Sequence, residues 1–400
     1  MRRLTLTEFR TEYAVALSFD ERVLLRRLHP GIRMEPTIGR DDCYDLTPDQ
    51  RVGLVCLPSL VIEVRPKVPM SSVLFLLSFV CDAMSWFEQQ PDFAQDLDLV
   101  DLVAIMLAKV VQQTVRRGLL NGYQCEDETL QAPRGRILFD EQIRRHLGNS
   151  PPIEVRHDEF TSDITENRLL LAALALVSRF SVRSDVARRE VFRAQRLFGG
   201  VSQVYFPPAA VPEVVFTRLN RHYQAALSLA ILALRCASMD LGVGNVRGSA
   251  FLIDMNNAFE RFVRSALRAA LDVDAAVLPE RSPGIRLDKA GVIPLKPDLC
   301  LMADQGVIWV GDAKYKRLSE GAYQNADLYQ LLAYTVALDL SGGMLIYAAD
   351  EGVSTATHWV VRANKQLQVV ALNLADPPKR ILKQISMVAQ GIRHSLENAA

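Results

Sequence analysis

One segment near residue 300 constrains the fold of this chain more than any other. Two apolar runs flank Ala-Asp-Gln-Gly, a sequence typical of the turn between antiparallel strands. Residues two apart on a strand point to the same face. We therefore expect Asp312 and Lys314 to project together into solvent, with Asp298 beside them on the neighbouring strand. The two strands of this β-hairpin are predicted over residues 298–302 and 307–314.

The acids and the lysine of the hairpin favour metal-dependent cleavage of a phosphodiester. Carboxylates are hard oxygen ligands that suit Mg²⁺, with Mn²⁺ as an alternative. Asp298, Asp312 and the backbone carbonyl of Ala313 are the predicted ligands, and Lys314 would orient the attacking water. The segments Pro-Asp298 and Asp312-Ala-Lys314 resemble the two halves of the PD-(D/E)xK nuclease motif. The alternative is two ordinary strand-end acids and a solvated lysine.

Two helical segments around the hairpin add to this motif. Gln330 and Tyr334 lie four residues apart on a helix predicted over residues 321–338, so they share a face. RecB-like members of the PD-(D/E)xK group carry a similar Gln-x-x-x-Tyr helix. Upstream, Glu260 lies on an amphipathic helix, and the resemblance implies that such an acid completes the metal site. The alternative for Glu260 is a salt-bridged surface acid.

Length and charge limit how the chain meets its substrate. Its 400 residues suggest two or three domains. Hydrophobic residues are 49% and charged residues 23%, as in a globular protein. Lys+Arg and Asp+Glu number 46 each, whereas a protein that grips long DNA unaided is more often basic. We expect DNA to be delivered by a partner or to be contacted only locally.

The cysteines and the apolar segments indicate a cytoplasmic protein. No cysteine belongs to a C-x-x-C pair, which argues against a zinc ribbon or a disulfide framework. The N-terminus does not resemble a signal peptide, and the most apolar run, residues 73–84, is too short to span a bilayer. No GxxxxGK[ST] sequence is present, so the chain is not expected to hydrolyse nucleotide itself. The six cysteines are Cys43, Cys56, Cys81, Cys125, Cys236 and Cys300.

The N-terminal part alternates strands with long helices. Strands are predicted at residues 51–57, 60–64, 123–130 and 153–160, and helices at 70–87, 93–120, 162–179, 185–198 and 216–239. Ser71 and Ser72 are candidate N-caps. The glycine-rich segment 241–248 is the candidate linker. Exposed strand-end charges are expected at Arg65 and Lys67, and a locally basic region at Arg116, Arg117, Arg134, Arg136, Arg144 and Arg145.

Taken together, these motifs resemble the McrC family, the nuclease subunit of a modification-dependent restriction system. The resemblance covers most of the chain and is strongest over residues 251–349. It implies a Mg²⁺-dependent endonuclease whose N-terminal part docks on a hexameric AAA+ GTPase, McrB, and stimulates GTP hydrolysis. In such a system McrB reads methylated cytosine in double-stranded DNA and McrC cuts. Family roles fall on Asp298, Asp312 and Lys314, with Gln330 and Glu260 in support.

The predicted fold class is an α+β N-terminal region with a helical middle, followed by a C-terminal α/β PD-(D/E)xK restriction-endonuclease-like domain. The predicted domains are a motor-docking domain at residues 1–160, a helical connecting region at 161–245 and the endonuclease domain at 246–400. Two alternatives remain open. One is a stand-alone RecB-like exonuclease, and the other is a non-catalytic adaptor that regulates a DNA motor.

Overall fold

A computed structural model describes residues 2–28, 30–84, 97–147, 151–180, 184–240, 248–316, 325–349 and 355–397. The chain forms two compact units: Met1–Leu99 with Ser238–Ala400, and Val100–Ala237. The sequence-predicted division at residues 160 and 245 concerns functional domains and stays a prediction. The predicted linker lies, apart from Gly248, outside the described residues.

The first unit contains most of the strands. Its N-terminal elements are β1 (Arg2–Thr7), β2 (Glu12–Ala16), α1 (Phe19–Leu28), β3 (Ile32–Pro36), β4 (Cys43–Pro48), β5 (Arg51–Cys56), β6 (Leu60–Arg65) and α2 (Met70–Val80). Its C-terminal elements begin with β10 (Ala237–Asp240), β11 (Gly248–Asp254), α8 (Met255–Leu271), β12 (Ile285–Arg286) and β13 (Pro294–Leu295). They continue with β14 (Leu299–Ala303), β15 (Gly306–Lys314), α9 (Asn325–Ala337), β16 (Gly342–Ala349), β17 (Ala356–Val360), β18 (Lys365–Asn373) and α10 (Pro378–Glu397).

The N-terminal sheet of the first unit recruits strands from far along the sequence. Its order is β1-β6-β5-β11-β10, with β1 parallel to β6 and β5 antiparallel to both β6 and β11. Gly53 makes the close pairing of β5 with β11 possible. Its φ is +142°, and a Cβ at this position would lie 2.1 Å from the carbonyl oxygen of Phe251. Buried Leu6, Val55 and Ile62 form part of the core beneath this sheet.

A second five-stranded sheet carries the predicted hairpin. Its order is β14-β15-β16-β18-β17. The β14–β15 and β17–β18 pairs are antiparallel, whereas β15–β16 and β16–β18 are parallel. Helix α9 packs on β15, β16 and β18, and α8 and α10 pack on each other. The hairpin is therefore confirmed, and its second strand becomes an inner strand of the sheet.

Helix α8 shows why this sequence forms a helix here. The Asp254 carboxylate caps its N-terminus by accepting the backbone N–H groups of Asn256 and Asn257 at 2.9 and 3.2 Å. The apolar positions recur at helical spacing and are all buried, as predicted. The buried stripe contains Phe259, Phe262, Val263, Ala266 and Leu267.

The second unit is mainly helical with a small sheet. Its helices are α3 (Leu99–Thr114), α4 (Phe139–His146), α5 (Thr165–Arg179), α6 (Asp185–Gln195) and α7 (Gln224–Cys236), with short 3₁₀ turns between some of them. Strands β7 (Gly122–Leu130), β8 (Arg136–Ile137) and β9 (Ile153–Thr161) form an antiparallel sheet of order β7-β9-β8. The described part of the chain is thus a mixed α and β protein. This agrees with the predicted mixture of helices and strands, whereas the predicted PD-(D/E)xK fold stays a prediction.

Several predicted boundaries were wrong. Helix α7 begins at Gln224 rather than near residue 216, and the chain extends into β10 where the prediction continued the helix. The N-cap of α2 is Pro69, and the Ser72 hydroxyl instead donates to the carbonyl oxygen of Leu374 at 2.5 Å. The predicted extension of α2 to residue 87 was also wrong, because the helix ends at Val80 and Asp82 has a φ of +55°. Residues 85–87 and the predicted start of α9 at 321 lie outside the described residues.

Candidate functional site

The hairpin brings the two predicted acids into direct contact. Asp298 immediately precedes β14, and Asp312 lies on β15 next to Gly311, which pairs with Leu299. The Asp298 N–H donates to Oδ1 of Asp312 at 3.0 Å, and the Ala313 N–H donates to Oδ2 of Asp298 at 3.0 Å. These two hydrogen bonds fix the Asp312 carboxylate against the backbone of Asp298 and the Asp298 carboxylate against the backbone of Ala313.

Asp312 and Lys314 are not solvent-facing, and that prediction was wrong. Asp312 is 1% exposed, and the side chain of Lys314 is 19% exposed with its Nζ 2.5 Å from Oδ2 of Asp312. The cause is the position of β15 in the sheet. Strand β16 pairs parallel to β15 and places Leu345 opposite Asp312, and parallel strands are usually covered on both faces.

The site holds an excess of negative charge. Burial raises the pKa of Asp298, the neighbouring carboxylates of Asp312 and Glu260 raise it further, and it reaches about 8. Burial lowers the pKa of Lys314, but Asp312 and Asp298 outweigh this effect and hold it above its ordinary value. Near neutral pH Asp298 therefore retains its proton while the lysine stays charged.

Glu260 reaches the site through an arginine that sequence reasoning did not identify. Arg264 is 3% exposed, forms an ion pair with Glu260, and donates to the carbonyl oxygen of Asp298 at 2.7 Å. The i,i+4 spacing of Glu260 and Arg264 on the helix is the signal that could have found it. Glu260 is salt-bridged, as the alternative reading of this residue expected. The metal-binding role of Glu260 stays a prediction.

Gln330 and Tyr334 share a face of α9, as predicted. Nε2 of Gln330 donates to the Tyr334 hydroxyl at 2.6 Å, and that hydroxyl donates to the carbonyl oxygen of Lys296 at 3.2 Å. Tyr334 is buried, whereas Gln330 is exposed. Burial, then Asp312 and Asp298, raise the pKa of Tyr334, so its hydroxyl keeps its proton. The pair thus supports the backbone that leads into Asp298.

A second buried acid lies beyond the end of β15. Both carboxylate oxygens of Asp327 accept hydrogen bonds from Nζ of Lys316, at 2.9 and 3.1 Å, and Oδ2 also accepts from the Tyr347 hydroxyl at 2.7 Å. No role was predicted for Asp327 from the sequence. Its pairing depends on β16, which lies next to β15 only in the folded sheet.

The site provides some, but not all, of the oxygen ligands that a hard divalent cation requires. Asp298 and Asp312 offer adjacent carboxylate oxygens in a partly buried place where negative charge is in excess, which is where Mg²⁺ or Mn²⁺ would be favoured. Across the described ranges, however, no three Asp, Glu, His or Cys side chains converge as a metal cluster. A third ligand from Glu260 would require its carboxylate to leave Arg264. The Ala313 carbonyl stays a predicted ligand.

The predicted basic positions divide into two groups. In the second unit, Arg116 and Arg117 and the arginines from 134 to 145 are exposed, with Arg144 and Arg145 paired to Glu141. In the first unit, Arg65 is exposed as expected. Lys67 is not a purely solvated charge, because its Nζ lies 4.1 Å from the centroid of the Tyr315 ring.

Among the residues that the structure describes, no helix combines the length and the apolar character needed to cross a bilayer.

Comparison with known proteins identifies a family and a fold. The model of the McrBC 5-methylcytosine restriction system component family matches residues 46–348. A curated relative from Escherichia coli K12, described as type IV methyl-directed restriction enzyme EcoKMcrBC, is 22% identical over 303 residues, covering 71% of this chain and 86% of the relative.

Two solved structures from Thermococcus gammatolerans are also similar. A half-complex of McrB AAA+ hexamers with bound McrC matches with a TM-score of 0.59 at 17% identity, covering 98% of this chain and 100% of the matched chain. A cryo-EM structure of the McrBC complex matches with a TM-score of 0.44 at 18% identity, covering 67% and 88%. The first likeness establishes the fold of the chain as that of the matched chain.

Proposed function

Because the chain belongs to the McrBC 5-methylcytosine restriction system component family, we propose that it is the DNA-cutting, McrC-type subunit of a modified-cytosine-dependent restriction complex. The observation that carries the proposal is the cluster of Asp298, Asp312 and Lys314, in which Asp312 is fully buried and the other two are partly buried. Reciprocal backbone hydrogen bonds fix the two acids, and the lysine lies 2.5 Å from one of them. This arrangement suits a PD-(D/E)xK endonuclease acting on double-stranded DNA.

In this proposal the acids hold the metal, and the other residues prepare the site. Asp298, Asp312 and the Ala313 carbonyl would bind Mg²⁺ or Mn²⁺, with Glu260 in support. The metal, when bound, polarises the scissile phosphate and lowers the pKa of a bound water. Lys314 keeps its proton beside Asp312 and presents its remaining N–H groups where charge develops on the phosphate. Arg264 fixes the carbonyl of Asp298, and Gln330 with Tyr334 fixes that of Lys296.

The proposed partner is a hexameric AAA+ GTPase of the McrB type. The similar Thermococcus structure contains McrB AAA+ hexamers with bound McrC, and this sequence has no nucleotide-binding loop of its own. We place GTPase docking and stimulation within residues 1–240, where exposed arginines are concentrated. An arginine beside a bound nucleotide accelerates hydrolysis by about 10³ to 10⁵ in GTPase systems. The cytoplasm is the proposed location.

Reconstitution with the GTPase from the same host tests both activities. The full chain should stimulate GTP hydrolysis, and the assembled complex with GTP and Mg²⁺ should cut duplex DNA that carries methylated cytosine. Unmethylated duplex of the same sequence is the control. Robust cutting of linear DNA ends by the chain alone would favour the exonuclease alternative. Stimulation of GTP hydrolysis without any cutting would favour the adaptor.

A further inference from the structure

A cavity of about 530 Å³ lies beyond the end of the strand that carries Asp312 and Lys314. Its walls come from the turn after β1, from the end of β6 and from the residues after β15, all within the first unit. That volume falls within the range of small-molecule sites. The lining residues are Thr7, Glu8, Phe9, Arg10, Pro66, Lys67 and Lys316.

The cavity is physically joined to the candidate active site through Tyr315, which follows Lys314 in the chain. The Tyr315 hydroxyl donates to Oε1 of Glu8 at 2.8 Å, and the same oxygen accepts the backbone N–H of Lys67 at 2.6 Å. Nζ of Lys67 lies 4.1 Å from the centroid of the Tyr315 ring, a cation–π contact. The N-terminal turn is therefore held against the end of β15.

The walls of the cavity are cationic. Arg10, Lys67 and Lys316 contribute positive charge, and Arg10 is exposed. The side chain of Lys316 keeps 37% of its surface exposed while it pairs with Asp327. Among the described lining residues the single acid is Glu8, which is 2% exposed and already accepts two hydrogen bonds. Asp327 and Glu8 offset part of this charge, and Arg10 is the exposed cation that a ligand would meet.

Phe9 presents an aromatic ring at the mouth of the cavity in an unusual backbone conformation. It is 48% exposed, and its φ is +59°, in the left-handed region that side chains rarely adopt. Its N–H donates to the carbonyl oxygen of Pro48 at 3.0 Å, which helps to hold this conformation. Such strained residues cluster at functional sites, and the combination of an exposed ring with cations is typical of nucleic-acid contacts.

We propose that this cavity binds one nucleotide of the DNA strand that is cut, with its phosphate against Arg10 and Lys316 and its base or sugar against the Phe9 ring. The inference rests on the proposed nuclease function and adds a second contact with the strand. Lys316 lies two residues after Lys314, within about 7 Å along the backbone. Each strand of duplex DNA carries a phosphate about every 3.4 Å of helix axis, and the proposal places a phosphate close to the scissile one against this cavity.

Equilibrium binding of a short DNA duplex to the full chain, in Ca²⁺ buffer that prevents cutting, tests the proposal. Arg10→Ala should weaken binding about threefold to tenfold and reduce the slope of log K against log salt by about 0.9. Phe9→Gly should weaken binding about tenfold without changing that slope. Glycine tolerates φ of +59°, so this variant keeps the turn. The matched control is Arg40→Ala, an exposed arginine of the same unit that does not line the cavity.

The outcomes separate this inference from the nuclease proposal. Unchanged DNA affinity in both cavity variants, or no affinity of the parent chain for duplex at about 50 mM salt, overturns the inference. The inference is also overturned if Phe9→Gly weakens binding of guanosine monophosphate but leaves duplex binding unaffected, because the site would then serve free nucleotide. If the variants weaken DNA binding but the parent complex never cuts DNA, the nuclease proposal fails and the DNA contact stands.

Discussion

Two carboxylate–cation pairs in the β-sheets behave in opposite ways in this molecule. In the second unit, Asp127 on β7 lies opposite Arg156 on β9, which donates two hydrogen bonds at 2.5 and 2.7 Å. Both side chains are about half exposed. In the first unit, Asp312 on β15 pairs with Lys314, and Asp312 is almost fully buried beside Asp298.

The difference appears in the ionisation of the acids. The hydrogen bonds from Arg156 lower the pKa of Asp127, so one cation satisfies one anion. In the hairpin, burial together with Asp312 and Glu260 raises the pKa of Asp298, because one lysine serves more than one acid. A balanced exposed pair contributes little to stability. An unbalanced buried cluster costs stability and is typical of a functional site.

The largest expected effect is the loss of DNA cutting in Asp312→Asn. The change removes a proposed metal ligand, so single-turnover cleavage by the assembled complex should fall by about 10²- to 10³-fold or more. Asparagine keeps an oxygen that accepts the Asp298 N–H, so the fold should be retained. GTP hydrolysis should be unchanged.

Asp304→Asn is the matched control for that variant, because Asp304 is an exposed acid in the turn of the same hairpin. It should cut DNA like the parent. Near-parental cleavage by Asp312→Asn would place the active site elsewhere. Alanine is the poorer choice at position 312, because it leaves a buried N–H without its acceptor at a cost of about 1–3 kcal/mol.

The second prediction concerns metal binding and its pH dependence. Mg²⁺ must displace the proton that Asp298 retains, so its affinity should rise as pH approaches about 8 and level off above that value. Titration calorimetry of the full chain in two buffers with different ionisation enthalpies would measure the released proton. Asp298→Asn should abolish most of this pH dependence. Equal Mg²⁺ affinity from pH 6 to pH 8 would contradict the assignment of Asp298 as a ligand.

The third prediction concerns how the folding stability of metal-free protein depends on pH at Asp298 and at Asp127. The pKa of Asp298 is raised from 3.8 to about 8 in the folded chain, so the folded state loses stability as pH rises between these values. Asp298→Asn should therefore gain Tm relative to the parent as pH increases from 5 to 8 in EDTA.

The exposed pair should behave in the opposite way. The pKa of Asp127 is lowered, so its contribution to folding stability is present above the unfolded value of 3.8 and is lost as pH falls. Asp127→Asn should be slightly less stable than the parent at pH 7 and equal to it at low pH. The same sign of pH dependence in both variants would contradict the comparison.

The contacts between the residues of this site could be predicted from the sequence, whereas the burial of those residues could not. The alternation of strand residues and a turn of ordinary composition placed Asp298 beside Asp312. The burial of Asp312 depends on β16, which pairs with β15 only after helix α9 returns the chain to the sheet. Local patterns do not specify such pairings. In the same way, β11 completes the N-terminal sheet from far along the chain, through the close approach at Gly53.

The smallest expected effects on cleavage come from the Gln-x-x-x-Tyr helix. Gln330 reaches the site only through the Tyr334 hydroxyl and the carbonyl of Lys296 in the observed contacts. Gln330→Ala should therefore reduce the single-turnover rate only about threefold to tenfold, as expected for the loss of one supporting hydrogen bond. Because Gln330 is exposed, its Tm should be unchanged. Tyr334→Phe removes the buried hydroxyl through which Gln330 acts, so it should lower the free energy of unfolding by about 1 kcal/mol and should reduce the rate at least as much as Gln330→Ala does. A rate unchanged in Gln330→Ala would assign the helix a structural role, and a loss as large as that of Asp312→Asn would mean that Gln330 contacts the reacting groups directly.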